Sequence, residues 1–193
     1  MTVFLILAPF GSFALLMLVT STAVSLFAAA AICLAVIVYD LVRGRSLKML
    51  GAGSVVVFAA LGGYVTLIDP NLGSSAVKLT IDAGVFAISL GSIAMRHPFT
   101  LQYAREMVDL ETAKLPGFMK ANYIITWAWT AAFAAMMLAN ILMIYLPSLP
   151  LWAGVAIVFA ARNSAAYFTK WYPEYRKAKY GTSPVSAGAL PGS

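Results

Sequence analysis

The chain has 193 residues, of which 62% are hydrophobic and only 10% are charged, and its mean hydropathy is +0.87. A water-soluble domain of this size carries about a quarter charged residues, because its surface must be wetted. The composition therefore excludes a soluble enzyme, a nucleic-acid-binding module and a disordered regulator, and it predicts an all-α integral membrane protein.

The apolar runs predict six transmembrane helices in a single domain, residues 1–170. A helix that crosses a bilayer needs about 20 mostly apolar residues. The predicted spans cover residues 2–19, 22–42, 50–67, 75–95, 123–146 and 151–170. The start of the chain lacks the basic region of a signal peptide, so we expect a retained span. If the first apolar region formed one re-entrant or tilted element, five spans would remain. Residues 171–193 are expected to form a cytoplasmic tail that is partly disordered.

The basic residues predict the orientation of the spans. Eleven of them follow the second, fourth and sixth spans: Arg43, Arg45, Lys48, Arg96, Arg105, Lys114, Lys120, Lys170, Arg176, Lys177 and Lys179. Cytoplasmic loops carry an excess of Lys and Arg, so this side is predicted to be the cytoplasm, with both termini inside. The net charge of +6 is thereby explained by topology, and no nucleic-acid partner is expected.

One loop between spans four and five has a helical pattern. Winding residues 101–110 at 100° per residue places four polar side chains on one arc, and they are Gln102, Arg105, Glu106 and Asp109. This pattern predicts a short cytoplasmic amphipathic helix. Two interpretations stay open: a connector that lies on the lipid headgroups, or a partner-docking surface formed by the polar arc.

Polar residues inside the spans mark a candidate intramembrane site, since each is costly in lipid and is usually paired or functional. Lys78 and Asp82 lie four apart on the fourth span, and Asn140 lies at a similar depth on the fifth. They are expected either to hold the helices together or to form a substrate, ion or partner site. Arg162 is expected to reach the lipid headgroups or to pair with Asp40.

Small residues four apart predict faces where helices pack closely. Examples are Ala59 with Gly63 on the third span and Ala87 with Gly91 on the fourth.

Little in the sequence points to catalysis. Cys33 and His97 are the only residues of their kinds, which excludes a disulfide or a bis-His haem site within one chain. There is no HExxH, GxSxG or phosphate-loop motif and no pair of intramembrane carboxylates. We expect no catalytic residue, no metal site and no cofactor, and an enzyme is disfavoured.

Between Ala28 and Pro147 the chain resembles the intracellular septation protein A family of small bacterial inner-membrane proteins. The matching residues are Arg45-x-x-Lys48-Met49, Gly62-Gly63 with Thr66, Lys78-x-Thr80, Phe86-Ala87, Pro98, Leu115-Pro116, Trp129, Leu138-Ala139-Asn140-Ile141 and Leu146-Pro147. The resemblance implies a multi-pass protein of the bacterial inner membrane that contributes to envelope maintenance and cell division. It implies contacts with division and envelope-synthesis proteins and no catalytic activity.

Two hypotheses follow. The first is a non-enzymatic inner-membrane protein that acts by contacting other membrane proteins or lipids, with a homo-oligomer as an open alternative. The second is a small transporter or channel with a hydrated polar site between spans four and five, lined by Lys78, Asp82, Asn140 and Arg162.

Overall fold

The computed structural model describes residues 2–146 and 148–180, and the regular structure in these ranges is helical throughout. Eight α-helices follow one another: α1 (Thr2–Leu16), α2 (Thr22–Val42), α3 (Met49–Leu67), α4 (Ser74–Ala94), α5 (Phe99–Ala104), α6 (Leu110–Lys114), α7 (Pro116–Tyr145) and α8 (Leu151–Tyr180). A 3-10 turn at Arg105–Met107 follows α5. Four of these helices, α2, α3, α4 and α7, are long and apolar enough to cross a membrane.

The long helices pack in a simple order that brings the basic loops to one end. α1 packs on α2, α2 on α3, α3 on α4, α4 on α7 and α7 on α8. Short connections make successive helices antiparallel, so the 43–48 loop, the 95–115 segment and the carboxyl end of α8 lie together. A hydrogen bond of 2.5 Å from the Arg176 guanidinium to the Gly117 carbonyl ties α8 to the start of α7. We call this the basic end of the bundle.

The apolar core lies between the helices and is centred on aromatic and branched side chains. Phe58 of α3 is fully buried and its ring lies 5.4 Å from that of Phe10 and 5.7 Å from that of Phe13, both on α1. On the other side of the bundle the ring centroids of Trp129 and Phe133 on α7 lie 5.7 Å apart. The Phe58 contacts place α1 on α3, and α7 packs on α4.

The helix bounds differ from the predicted spans at three places. α7 begins at Pro116 and not at residue 123, because proline at the first helical position loses no backbone hydrogen bond. α1 ends at Leu16. α8 continues to Tyr180 through Pro173, so the predicted tail is helical over residues 171–180. The rest of the predicted tail, residues 181–193, lies outside the described residues.

The structure supports four of the six predicted spans. α1 has 15 residues, which is short for a crossing helix, and α8 carries Arg162 and Asn163 within its apolar stretch. Neither is among the four helices that qualify by length and composition. The six-span topology therefore stays a prediction.

The predicted amphipathic helix over residues 101–110 is wrong as a continuous element. α5 ends at Ala104, and after the 3-10 turn Val108 is extended, with φ −130° and ψ 161°. The Asp109 carboxylate then accepts hydrogen bonds of 2.8 Å from both the backbone amide and the hydroxyl of Thr112. Asp109 thereby caps the start of α6 at Leu110. An aspartate N-cap favours a new helix over continuation of the old one.

The predicted close-packing glycines are also wrong. A methyl group added at Gly63 or Gly91 would meet nothing within 4 Å. The close approach of α3 and α4 occurs instead at Gly53 and Gly84: a methyl group at Gly84 would lie 2.7 Å from the Val57 side chain. The small residues that were predicted at the packing faces of α3 and α4 are therefore not the ones at which these two helices approach each other closely.

Candidate functional site

A tight turn after α2 assembles a cluster of charged side chains at the basic end. Gly44 adopts φ 69°, its amide donates to the Leu41 carbonyl, and the Arg45 amide donates to the Asp40 carbonyl. These two bonds form a Schellman motif, in which glycine is favoured because its left-handed conformation costs a residue with a Cβ atom about 1 kcal/mol. The turn carries Arg45 and Lys48 back over the end of α2, where Asp40 lies.

Two cations and two anions meet there. The Lys48 ammonium lies 2.6 Å from the Asp40 carboxylate and 3.1 Å from that of Glu106. The Arg45 guanidinium lies 3.1 Å from Asp40 and 3.9 Å from Glu106. The Lys48 side chain is only 4% exposed, whereas that of Arg45 is 38% exposed. The cluster is balanced in charge, and Lys48 is its buried centre.

The predicted polar arc divides between this cluster and the surface. Gln102 accepts a 2.7 Å hydrogen bond from the Met49 amide at the start of α3, and Glu106 accepts bonds from the amide and hydroxyl of Ser46. Gln102 and Glu106 therefore bind the 43–49 segment, and Glu106 remains exposed, so the docking surface stays a prediction. Arg105 is exposed, and Asp109 is exposed and caps α6. The Thr112 bonds also lower the pKa of Asp109 below its usual range.

Tyr103 closes the cluster from the side of α5. The Lys48 ammonium lies 5.3 Å from the centre of its ring, within the range of a cation–π contact. Burial, followed by the negative charge of Asp40, raises the pKa of the Tyr103 phenol above its usual range. The phenol is therefore neutral at physiological pH and does not act as a base.

The predicted contact between spans four and five is present, but without its lysine. The Asn140 side-chain amide of α7 donates a 2.7 Å hydrogen bond to the Asp82 carboxylate of α4. Both side chains are buried. Lys78 is exposed, and no ion pair joins it to Asp82 in the part of the chain that the structure describes. The predicted Lys78–Asp82 salt bridge is therefore not formed among the described residues, where Asn140 binds the Asp82 carboxylate instead.

A series of buried hydroxyl groups, which the sequence analysis did not single out, continues this interface toward the basic end. The Ser89 and Thr130 hydroxyls lie 2.6 Å apart, and so do those of Thr100 and Thr126. The Ser92 hydroxyl accepts from the Phe99 amide and fixes the start of α5. Serine and threonine at the inner faces of apolar helices were the available signal, since a buried hydroxyl needs a partner.

Arg162 joins neither site. The Asp40 carboxylate is bound by Arg45 and Lys48, so the predicted Arg162–Asp40 pair is wrong. Arg162 is half-buried on α8, and Asn163 beside it is exposed, with its amide bonded to the Phe159 carbonyl of the preceding turn. α8 makes its extensive helix contacts with α7. In the part of the chain that the structure describes, its opposite face, with Phe159, Asn163 and Tyr167, is exposed.

These arrangements can hold helices together more readily than they can perform chemistry. In the charge cluster both Asp40 oxygens are occupied, one by Arg45 and one by Lys48. Within residues 2–146 and 148–180 no group of three His, Cys, Asp or Glu side chains lies close enough to hold a metal ion. No family model, no curated protein and no solved structure matches this chain.

Proposed function

We propose that the protein is a non-enzymatic membrane protein that works by binding other membrane proteins. The resemblance of its motifs to the septation protein A family supports a role in envelope maintenance and cell division in the bacterial inner membrane. In this proposal six helices cross the membrane, α1 and α8 included, and both termini are cytoplasmic.

The observation that carries the proposal is the polar segment on the uncovered face of α8. Asn163 and Ser164 are exposed and Arg162 is half-buried, about 16–20 Å along α8 from its start. In a bilayer whose hydrocarbon core is about 30 Å thick, this depth is near the middle. Polar side chains at that depth normally face protein or water, because lipid leaves them unsatisfied. A helix of another membrane protein would cover them.

A photo-crosslinking amino acid at Phe159 tests the proposal in living membranes. Phe159 is 68% exposed and lies one helical turn from Asn163 on the same face. We expect a defined crosslink to a membrane protein of division or envelope synthesis, identified by mass spectrometry. The variants Arg162→Leu and Asn163→Leu should weaken it, because they remove hydrogen-bonding groups without shortening α8.

The control is Ile157→Ala, an exposed apolar position that lies about 200° around α8 from Phe159 and therefore on another side of the helix. It should leave the crosslink unchanged at matched expression. Crosslinks to lipid alone, or equal crosslinking in all variants, would contradict a partner at this face. A crosslink only to a second copy of the chain would replace the partner by a homo-oligomer.

The orientation is tested by cysteine accessibility in a Cys33→Ser background. Cysteines placed at Arg43, Arg105 and Lys177, all exposed at the basic end, should react from the cytoplasmic side. Labelling of these positions from outside would overturn the proposed topology.

A second candidate function, a small transporter or channel, is favoured by the buried Asp82–Asn140 contact. Only one Asp82 oxygen is bound by Asn140, so the carboxylate keeps an acceptor for an ion or substrate. If the contact is structural, the Asn140→Leu variant should be less stable and the Asp82→Leu, Asn140→Leu double variant more stable than it. Unchanged stability with lost cellular function would favour the transporter.

A further inference from the structure

A crevice runs from the charge cluster into the bundle between α1, α2 and α3. Its volume is about 40 Å³. Ser46 and Leu47, which are exposed, lie at its mouth, and the Asp40–Lys48 pair lines it next. Cys33 and Ser54 line the crevice further in. Cys33 lies seven residues from Asp40 along α2, and Ser54 lies six residues from Lys48 along α3, which is about 10 Å in each case.

Ser54 distinguishes this crevice from an ordinary packing defect. Its side chain is 2% exposed, and its hydroxyl oxygen has no hydrogen-bond partner among the residues that the structure describes. A buried hydroxyl without a partner costs about 1–3 kcal/mol, so nearly all such groups in proteins are satisfied by protein or by water. The crevice that Ser54 lines offers a route by which a small molecule can reach this hydroxyl.

The charges at the mouth decide what kind of molecule fits. Arg45 and Lys48 are balanced by Asp40 and Glu106 at 2.6 to 3.9 Å. The cluster therefore has no net charge to attract an anion or a cation. The ligand is neutral and able to form hydrogen bonds.

The volume decides its size. A water molecule needs at least about 10–15 Å³ of such space, whereas pockets for small organic ligands measure about 300–1,000 Å³. The crevice is large enough for about one to three water molecules. It is too small for a metabolite or a lipid headgroup.

We propose that this crevice is a hydration site that takes one to three water molecules, or a neutral polar molecule of the same size, bound between Ser54 and the Asp40–Lys48 pair. Water reaches it from the basic end of the bundle, past Ser46. The site makes the inner part of α2, up to the Cys33 thiol, accessible to small polar molecules without opening the helices.

The sign of a stability change tests the water at Ser54. If the hydroxyl binds water, Ser54→Ala loses a hydrogen bond, and the unfolding midpoint in detergent should fall by about 2–4 °C. If the site is dry, the same change removes an unsatisfied group and the midpoint should stay or rise. A stationary or raised midpoint overturns the proposal.

Thiol labelling tests access independently, because Cys33 is the only cysteine in the chain. The probe is hydrogen peroxide, a neutral molecule about as large as two water molecules, which oxidises a thiol to a sulfenic acid and is itself reduced to water; the modified Cys33 peptide is read by mass spectrometry. We expect Cys33 to react, and Gly51→Ala to slow the reaction several-fold. Gly51 lines the crevice, and an added methyl group fits there, 3.6 Å from the Ile37 side chain.

Gly63→Ala is the matched control on α3, since its methyl group would meet nothing within 4 Å. It should leave the labelling rate unchanged. Labelling that occurs only after unfolding, or that slows equally in both glycine variants, would show that the crevice does not admit small polar molecules.

Discussion

Replacing Lys48 by methionine should be among the most destabilising single changes at the basic end. The methionine keeps most of the apolar stem, so the change mainly removes the ammonium group. That group lies 2.6 Å from Asp40 and 3.1 Å from Glu106, in a side chain that is 4% exposed. Removing one partner of a buried ion pair costs about 3–5 kcal/mol, because the other charge is left buried without compensation.

The expected cost is below this range, about 2–3 kcal/mol, because Asp40 keeps its 3.1 Å contact with Arg45. The Asp40→Leu, Lys48→Met double variant should lose less than Lys48→Met alone. It removes both central charges together, and it leaves Arg45 and Glu106, 3.9 Å apart, to compensate each other.

The assay is denaturation of the purified protein in mixed detergent micelles, followed by tryptophan fluorescence. Lys114→Met is the matched control, since Lys114 pairs with Glu111 at 3.0 Å but their side chains are 71% and 85% exposed. That variant should cost less than about 0.5 kcal/mol. Equal losses of stability for Lys48→Met and Lys114→Met would refute the view that Lys48 is the buried centre of the cluster. So would a double variant that is less stable than Lys48→Met.

Two further predictions concern backbone conformation and helix packing. Arg96 follows α4 with φ 58°, and Gly44 follows α2 with φ 69°. Because this left-handed conformation favours glycine, Arg96→Gly should stabilise the protein by about 1 kcal/mol in the same denaturation assay, and Gly44→Ala should destabilise it by a similar amount. On α4, Gly84→Ala should destabilise the protein by about 1–3 kcal/mol, because its methyl group would lie 2.7 Å from Val57. Gly91→Ala should stabilise it by about 0.5–1 kcal/mol, because its methyl group would meet nothing within 4 Å. A loss of stability at both positions would contradict the close approach at Gly84.

The sequence predicted the long helices better than the segments between them. The bounds of α2, α3 and α4 agree with the predicted spans to within one residue, because an apolar run and its flanking polar residues are local features. The segment after α4 was predicted as a single helix from its periodicity. In the structure, a bond from Met49 to Gln102, 53 residues apart, and the Asp109 cap determine its shape. Periodicity carries no information about such distant partners.

The candidate sites follow the same division. The Asp82–Asn140 contact was predictable because both residues stand out in apolar runs at similar depth. The charge cluster was missed, although its signal is local: Asp40 is followed by Arg45 and Lys48 around a glycine turn. A carboxylate near a helix end pairs more readily with basic residues of the next turn than with an arginine on a distant helix. The alternative that paired Arg162 with Asp40 gave that proximity too little weight.

The polar groups inside the bundle separate into those that the chain satisfies itself and those that it does not. Asp40, Asp82 and Ser89 have partners on neighbouring segments, and their contacts fix the positions of the helices. Among the described residues, Ser54 and the Arg162–Ser164 segment are different, since one hydroxyl lacks a partner and one polar segment faces outward from α8. Their surroundings decide what satisfies them. Ser54 lines a narrow crevice, which only a small molecule enters, whereas α8 presents an open helix face, which another helix can cover. Variants at the two places should therefore act independently: Ser54→Ala should not weaken the crosslink at Phe159, and Asn163→Leu should not change the labelling of Cys33.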